Sequence, residues 1–262
     1  MYDHTFVIPA YKESPYLENC IKSLLGQTVK STIILTTSTP SVFLEGIAKK
    51  YGLGYFINPN ESSIAGDWNF ALSKVNTKLA TLAHQDDIYA PEYAEKVIDG
   101  VRDNQDVLIA FTNYADLVGE KVRSSSLNSF VKSALLWPFF FSKRLKSRYA
   151  RKIVLLFGDP IACPAVTFNL AALKSDFAFS NEYSCALDWY AWLELSKRKG
   201  SFLYINQKLL LHRIHPDSET TNQLSRGIRQ KEELQIFELM WGKNIAKMLS
   251  RMYAAGYKDN QI

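Results

Sequence analysis

The chain has 262 residues, of which 47% are hydrophobic and 22% are charged. This composition excludes a disordered tail, a collagen-like repeat and a disulfide scaffold, and it fits one or two packed domains of ordinary globular type. Cys20, Cys163 and Cys185 are odd in number and widely spaced. That arrangement favours free thiols in a reducing compartment over a disulfide framework or a zinc site.

The N-terminus and the charge distribution bear on where the protein works. Residues 1–9 lack a basic region followed by a cleavable apolar run, so we expect no signal peptide and a cytoplasmic protein. No apolar run approaches the roughly 20 residues needed to cross a bilayer. The formal net charge is +5. Seven bases and no acid lie between Phe130 and Lys152, and without them the chain is slightly acidic.

Strand-length apolar runs alternate with helical patterns from the N-terminus to residue 112. The first predicted strand, Thr5 to Pro9, precedes a helix with Ser14 as its N-cap, Pro15 at its first position and Gly26 at its end. Strands joined by helical crossovers of this length form a parallel sheet. The sequence therefore predicts an α/β fold with an open, mostly parallel sheet flanked by helices. The further elements predicted in this part are strands at 32–36, 55–57, 79–83 and 107–112 and helices at 42–51, 65–75 and 92–102.

After residue 113 the alternation fails, and residues 119–152 have no clean strand period. The pattern predicts a strand at 165–170, a helix at 187–198 that ends before Gly200, one or two strands within 202–211, and one long helix at 223–253. Neither an internal repeat nor a low-complexity linker interrupts the chain. We expect one continuous fold.

The strongest local signal is His84-Gln85-Asp86-Asp87, directly after an apolar strand. Adjacent carboxylates repel each other, which is tolerable when a divalent cation or several donors face them. Mg²⁺ takes oxygen ligands and often shares them with a diphosphate. In open α/β sheets, ligands bind beyond the carboxyl ends of the strands. The pattern indicates a metal-bound phosphate group there, and the alternative is an exposed helix entry capped by Asp87.

Several motifs in a fixed order resemble family 2 glycosyltransferases of the GT-A fold. The similarity covers roughly residues 4–220 and rests on FVIPAYKE from Phe6, SLLGQT from Ser23, QDDIYAP from Gln85, ALDW from Ala186, and the segment 204–220. It implies a GT-A-type sheet with a C-terminal helical extension. It also implies inverting transfer of a sugar from a nucleotide-sugar donor to a hydroxyl of a glycan or lipid-linked acceptor, with Mg²⁺ or Mn²⁺ as cofactor.

The resemblance also assigns roles to individual residues. Asp188 matches the general base, and its place at a helix start favours the ionised acid; the alternative is a simple N-cap. Arg213 matches a phosphate-binding position, with a salt bridge on a strand as the alternative. The metal-binding positions are Asp86, Asp87 and His215. The nucleotide-binding positions that it implies are Pro9, Ala10, Tyr11, Glu13, His84, Gln85 and Asp86.

Two further nucleotide-binding positions come from the predicted elements. Thr37 follows a strand and opens on the same edge of the sheet as the acidic turn. Asn69 lies at a helix start led by Gly66, where polar groups can meet a phosphate or a sugar hydroxyl, and the alternative is that the neighbouring Trp68 only packs on the sheet.

Three departures from the family pattern affect these roles. The segment 35–39 lacks the acid that grips the base in relatives, and His84 replaces the first acid of the Asp-x-Asp motif. Leu187 replaces the acid before Asp188, so a supporting carboxylate must come from elsewhere, with Glu182 as the candidate. A non-catalytic nucleotide-sugar or glycan-binding protein on the same fold is therefore the alternative function.

The resemblance divides the chain into three functional parts. Residues 1–113 form the donor-binding half, residues 114–221 the acceptor-binding half, and residues 222–262 the C-terminal helical extension. Residues 158–164 lie where acceptor-side loops lie in the family.

The segment 130–152 combines aromatic and basic side chains, both of which favour an anionic membrane interface. It predicts peripheral contact with the inner face of a membrane and fits a polyprenyl-linked acceptor in bacterial surface polysaccharide synthesis. The alternative is a buried aromatic cluster beneath a solvated basic loop. Nucleic acid is not an expected partner, because the basicity is confined to one stretch without a nucleic-acid motif. The residues expected to meet membrane or acceptor are Trp137, Phe140, Lys143 and Arg144.

Overall fold

The computed structural model describes residues 4–123, 127–216 and 227–255. The strands are β1 (His4–Ala10), β2 (Thr32–Thr37), β3 (Gly54–Ile57), β4 (Leu79–Leu82), β5 (Ile88–Tyr89), β6 (Val107–Val118), β7 (Lys121–Arg123), β8 (Arg144–Leu145), β9 (Val166–Asn169) and β10 (Ser201–Ile214). The helices are α1 (Leu17–Leu25), α2 (Val42–Tyr51), α3 (Ile64–Ser73), α4 (Tyr93–Arg102), α5 (Leu127–Leu135), α6 (Arg148–Leu155), α7 (Leu170–Leu173), α8 (Leu187–Lys197), α9 (Ile228–Trp241) and α10 (Lys243–Ala255).

All ten strands belong to one sheet, whose main path is β3-β2-β1-β4-β9-β6-β10-β5. The pairs β2–β3, β1–β2, β1–β4 and β6–β10 are parallel. β9 is inserted antiparallel to both β4 and β6, so these two strands still point the same way. The short strands β5, β7 and β8 are antiparallel additions. The predicted open, mostly parallel sheet is confirmed, while the inserted reversal at β9 was not predicted.

The central strands are buried on both faces because helices cover both sides of the sheet. In β1, Phe6 packs with the cluster on the α1 and α4 side, whereas the next residue, Val7, packs with the cluster on the α8 side. Both side chains are fully buried. This is why a parallel strand reads as a continuous apolar run.

Several element boundaries differ from the predictions. Ser14 is not an N-cap: its hydroxyl accepts a hydrogen bond from the backbone N–H of Tyr16 at 3.2 Å, and α1 begins only after Tyr16. β6 continues past residue 112 to Val118, so residue 113, the predicted edge of the donor half, lies inside a strand. The prediction of one helix over 223–253 is wrong, because Gly242, at φ 72°, separates α9 from α10. Residues 217–226 lie outside the described residues.

The long strand β10 carries the downstream motif to the acidic turn. It runs parallel to β6 over most of its length, with register shifts near Ile205 and Lys208. Leu210 and Leu211 pair with β5, the two-residue strand that directly follows the Asp86-Asp87 turn. His212 and Arg213 therefore emerge beside residues that precede them by more than 120 positions.

The cysteines are free thiols, as predicted. Cys20 and Cys163 are buried and Cys185 is half-buried, with no disulfide between them.

A buried histidine at the start of β1 gives the fold a pH dependence. His4 Nδ1 lies 2.8 Å from the Ser31 hydroxyl, and its Nε2 lies 2.9 Å from the Thr81 hydroxyl. Burial lowers the pKa of His4 to about 3. The His4 imidazole binds a proton near pH 6.5 in the unfolded chain but only near pH 3 in the folded chain. The contribution of the neutral, buried His4 to the unfolding free energy is therefore complete above pH 6.5 and is lost as the pH falls toward 3.

We expect His4→Gln to reduce this acid sensitivity, because an amide keeps hydrogen-bonding groups but does not titrate. Between pH 6 and 4 the wild type should lose about 1.4 kcal/mol of unfolding free energy per pH unit more than the variant. Urea unfolding at several pH values measures the difference. Parallel stability curves for the two proteins would contradict the prediction.

Candidate functional site

The acidic turn after β4 is held by the end of β10. The Asp87 carboxylate is fully buried, and its Oδ1 accepts hydrogen bonds from the Arg213 backbone N–H at 2.9 Å and from His212 Nδ1 at 3.1 Å. The neighbouring Asp86 Oδ2 lies 3.0 Å from His215 Nε2. Four residues of the predicted site, Asp86, Asp87, Arg213 and His215, are therefore in mutual contact through this turn. His212 also contacts this turn. The sequence did not predict it as a site residue, because the contact depends on the path of β10.

Arg213 stabilises the same turn through its side chain. Its Nε donates to the Asp86 carbonyl oxygen at 2.9 Å, and its guanidinium lies 4.4 Å from the centre of the Tyr16 ring. A further hydrogen bond reaches the Gly119 carbonyl at 3.4 Å. Arg213 thus binds carbonyls and an aromatic face rather than an acid on a strand. Its phosphate-binding role stays a prediction.

The charges of the turn follow from burial and proximity. Burial opposes ionisation of Asp86, but the hydrogen bond from His215 and the nearby His84 and His212 hold the pKa of Asp86 below its usual value. Burial also opposes a charge on His212, yet Asp87 and Asp86 raise the pKa of His212 to about 9. Burial lowers the pKa of His84, which keeps this imidazole neutral. At neutral pH the turn therefore combines an anionic Asp86, a cationic His212 and a neutral His84.

The donor atoms at this turn fit a divalent cation. One ligand atom each from His84, Asp86 and Asp87 lies within 4.8 Å of the others. His84 Nε2 is buried and has no hydrogen-bond partner among the described residues. A neutral imidazole with a free nitrogen beside carboxylates is a suitable metal ligand. This group shares Asp86 and Asp87 with the predicted set and adds His84. His215 contacts Asp86, and its role as a metal ligand stays a prediction.

A cavity of about 180 Å³ connects the turn with α8. Both His84 and Asp188 line it, and so do Arg213 and His212. His84, at the start of the acidic turn, and the candidate base thus share one cleft, while Asp86 and Asp87 lie beside it, in contact with the lining residues His212 and Arg213. The remaining polar side chains in the lining are Tyr114, Asp116, Lys132, Asp159, Cys185, Arg229, Glu233 and Tyr253.

Asp188 is the second residue of α8, and Ala186 occupies the N-cap. The N-cap alternative for Asp188 is therefore wrong. Asp188 Oδ1 accepts a hydrogen bond from the Trp189 backbone N–H at 2.8 Å. Burial nevertheless raises the pKa of Asp188, partly opposed by that N–H group and by Arg229. The expectation that the helix start would favour the ionised form is corrected, because burial outweighs it.

Two further acids, which the sequence did not single out, lie in the cavity with Asp188. Burial and the charge of Asp188 raise the pKa of Asp159 well above its usual range. Burial raises the pKa of Glu233 to about 7, partly opposed by Arg229, whose Nε donates to Glu233 Oε1 at 2.8 Å. The carboxyl groups here bind protons more tightly than free carboxyl groups do. Such a cluster suits proton uptake near neutral pH.

Glu232 places a buried carboxylate just before α8, where Leu187 offers none. Its two oxygens accept hydrogen bonds from the backbone N–H groups of Ser184, Cys185 and Ala186 at 2.8–2.9 Å and from the Ser184 hydroxyl at 2.7 Å. Burial opposes its charge, but these donors hold the pKa of Glu232 below its usual value. Glu232 therefore fixes the segment that leads into α8. Glu182, the predicted candidate, is instead exposed at a separate groove.

Most of the predicted nucleotide-binding positions lie at the carboxyl ends of β1, β2 and β4. The Tyr11 backbone N–H donates to Gln85 Oε1 at 3.3 Å, and Gln85 Nε2 donates to the Tyr11 carbonyl at 3.1 Å. The Thr37 hydroxyl accepts from the Thr39 backbone N–H at 3.0 Å. Tyr11 is 46% exposed, and the Lys12 ammonium lies 5.0 Å from the centre of its ring. Pro9 and Ala10 end β1, and Glu13 is exposed just beyond it.

Asn69 has a different environment. Its amide exchanges two hydrogen bonds with the Phe179 backbone, at 2.8 and 2.9 Å. The adjacent Trp68 ring lies 5.2 Å from the His84 ring and 5.0 Å from the Phe179 ring. Both side chains thus attach the loop at Phe179 to the cavity wall, and nucleotide binding by Asn69 stays a prediction.

The basic aromatic segment 130–152 is partly buried and partly exposed. Phe139 lies in the core, whereas Trp137 and Phe140 are 48% and 69% exposed. Arg144 pairs with Asp106 at 3.1 Å, which was not expected of a membrane-binding residue. Lys132 donates to the Tyr114 hydroxyl and Arg151 to carbonyls at the end of α8. The exposed bases of the segment are Lys143, Lys146, Arg148 and Lys152.

Across the described ranges, no helix has the length and apolarity needed to cross a bilayer.

We expect Glu232→Ala to destabilise the protein by about 1–3 kcal/mol, because it leaves backbone N–H groups before α8 without an acceptor. Glu232→Gln should cost less, since an amide oxygen still accepts. The wild-type advantage should be present above the usual glutamate pKa and disappear as the pH falls through the lower folded value. Urea unfolding measures the loss, with the exposed Gln235→Ala on the same helix as control. An unchanged midpoint for Glu232→Ala would contradict this assignment.

Comparison with known families agrees with this geometry. A family model described as Glycosyl transferase family 2 matches residues 5–166. An uncharacterized glycosyltransferase of Rickettsia typhi is 24% identical over 257 residues, which cover 93% of this chain and 72% of that protein. An uncharacterized glycosyltransferase of Haemophilus influenzae is 24% identical over 227 residues, covering 80% of this chain and 64% of that protein.

Solved structures show the same fold. The mannosyltransferase PcManGT from Pyrobaculum calidifontis, in complex with GDP-Man and Mn²⁺, has a TM-score of 0.66 at 10% identity, covering 97% of this chain and 74% of its own. S. aureus TarS 1-349, in complex with UDP-GlcNAc, has a TM-score of 0.62 at 12% identity, covering 97% and 72%. These similarities confirm the predicted GT-A fold.

Proposed function

This chain belongs to glycosyl transferase family 2, and we propose that it transfers a sugar from a nucleotide-sugar donor to an acceptor hydroxyl, with inversion at the reacting carbon. The observation that carries the proposal is the single cavity lined by His84 of the acidic turn and by Asp188 of α8. A donor diphosphate at the turn would direct its sugar toward Asp188. The complexes of similar proteins with UDP-GlcNAc and GDP-Man support a nucleotide-sugar as donor.

We propose a divalent cation, Mg²⁺ or Mn²⁺, at the acidic turn. Asp86 would hold it, with His84 Nε2 and Asp87 close enough to join. When bound there, the cation supplies positive charge that stabilises the leaving diphosphate. The Mn²⁺ in the PcManGT complex supports this choice.

The chain's own residues account for the other requirements of the transfer. Breaking the sugar–diphosphate bond places negative charge on the leaving group, and cationic His212 with Arg213 provides positive charge at the same wall of the cavity. The acceptor hydroxyl must lose a proton as it attacks from the opposite face of the sugar. Asp188 takes that proton in this proposal, and its raised pKa increases its affinity for it. Positioned bases of this kind contribute about 10²–10⁴-fold.

The acceptor in this proposal is a glycan or a polyprenyl-linked glycan of bacterial surface polysaccharide synthesis. The enzyme would act in the cytoplasm, in peripheral contact with the inner face of the membrane. Exposed Trp137, Phe140 and Lys143 support that contact, because aromatic and basic side chains favour an anionic interface.

A donor site should bind a nucleoside diphosphate only together with the metal. We expect one member of a UDP, GDP, CDP, ADP and TDP panel to raise the melting temperature in the presence of Mn²⁺, since binding to the folded state stabilises it. Asp86→Ala should abolish the shift, and the exposed Asp103→Ala should retain it. Equal shifts for wild type and Asp86→Ala would remove Asp86 from the donor site.

Asp188→Asn separates catalysis from binding. We expect kcat to fall by about 10²–10⁴-fold while donor affinity is retained, because an amide cannot take the acceptor proton. Sugar transfer from nucleotide-sugars of the nucleotide that the melting panel identifies measures kcat, and Glu194→Gln on α8, outside the cavity lining, is the control. Turnover that survives in Asp188→Asn would exclude Asp188 as the base. No turnover in the wild type with any donor would favour the non-catalytic binding protein.

A further inference from the structure

Helix α10 is packed against the molecule by one side only. Ala246 is fully buried, and the Tyr253 ring packs against Trp189 and Phe237 with centroid distances of 5.9 Å. The remaining surface of the helix has no such cover from the residues that the structure describes. Its large apolar side chains are exposed: Ile245 by 44%, Met248 by 56% and Met252 by 68%.

The exposed part of α10 is divided between an apolar and a cationic sector. At about 100° per residue, Ile245, Met248 and Met252 fall within an arc of about 60°. The bases of the helix occupy an adjoining arc of about 80°, and α10 contains no acid. These bases are Lys243, Lys247 and Arg251, all of them exposed.

Contacts near both ends of α10 connect it to the chain around the segment 130–152. Just before the helix, Trp241, the last residue of α9, donates from Nε1 to the Leu156 carbonyl at 2.8 Å, and its ring lies 5.3 Å from the Phe157 ring. Leu156 and Phe157 lie just after the segment. Near the end of α10, Tyr253 and Leu135 both border Gly158, where an added Cβ would lie 2.5 Å from the Tyr253 ring. The cationic helix therefore adjoins a second region with exposed aromatic and basic side chains.

We propose that α10 is an interfacial helix that binds an anionic phospholipid surface. An apolar arc beside a cationic arc is the pattern of helices that lie in the membrane interface, with apolar side chains among the acyl chains and bases at the headgroups. Each base near such a surface strengthens binding, and the exposed bases of 130–152 add to the same attraction. This inference rests on the proposed function and extends its peripheral membrane contact from the segment 130–152 to α10.

A second copy of the chain fits this surface less well. Most soluble homodimers are two-fold symmetric, so the same patch would face itself. Lys243, Lys247 and Arg251 would then approach the same bases of the other copy, with no acid on α10 to pair them. Anionic headgroups instead provide the complementary charge.

Vesicle flotation of the full chain tests the proposal. We expect the wild type to float with phosphatidylcholine vesicles containing phosphatidylglycerol and to float less with phosphatidylcholine alone. The combined variant Lys243→Gln, Lys247→Gln, Arg251→Gln should bind the anionic vesicles about 100-fold more weakly, since each base contributes about 1 kcal/mol. Ile245→Ser, Met248→Ser, Met252→Ser should also bind more weakly and should lower the residual binding to neutral vesicles.

Two controls keep the result specific to α10. Phe43→Ser, Lys49→Gln on α2, at the opposite edge of the sheet, should bind vesicles as the wild type does. Each α10 variant should keep its melting temperature and its nucleotide-dependent shift, which shows that it is folded. Because flotation uses no donor, a failure here is independent of the donor and Asp188 experiments.

Several results would overturn the proposal. They are failure of the wild type to bind anionic vesicles, undiminished binding by both α10 variants, and loss of binding only in Trp137→Ala, Phe140→Ala. A wild-type dimer in light scattering that becomes monomeric in the apolar α10 variant would assign this face to a second copy instead.

Discussion

The buried carboxylate of Asp87 is the contact on which the site depends. It accepts a backbone hydrogen bond from Arg213 and a side-chain contact from His212, so it joins the turn after β4 to the far end of β10. A fully buried carboxylate is costly unless donors surround it. The end of β10 provides those donors, and in doing so it brings His215 to Asp86 and the Arg213 side chain to the turn. Residues from two distant parts of the chain thus form one wall of the cavity.

The facing wall depends on a second buried acid. Glu232 of α9 binds the three backbone N–H groups that lead into α8, and Asp188 is the second residue of that helix. The C-terminal helices are therefore part of the cavity rather than an appendage to the sheet. Asp188, Asp159 and Glu233 meet Lys132 and Arg229 there, so that acids with raised pKa values are opposed by cations in the same small volume.

The sequence was informative wherever a local pattern determines the structure. The apolar run of β1 and the stripe of α1 predicted the parallel sheet, and the acids at 86 and 87 marked the turn that the end of β10 joins. Contacts between distant segments were not predictable in this way. Nothing near Glu232 indicates that it caps a segment almost 50 residues earlier, and Arg144 and Arg151 read as free surface bases although they bind Asp106 and the end of α8. Gly242 within a helical pattern was a local sign of the break between α9 and α10, and the apolar periodicity on both sides outweighed it.

The central proposal is that Asp86 would hold a divalent metal ion beside a donor diphosphate, next to the cavity that Asp188 lines. Anomalous diffraction from crystals grown with Mn²⁺ and the stabilising nucleoside diphosphate tests it most directly. The account predicts a manganese peak about 2.1 Å from an Asp86 carboxylate oxygen, with the diphosphate on its cavity side. A diphosphate bound elsewhere, or a peak remote from Asp86, would contradict it.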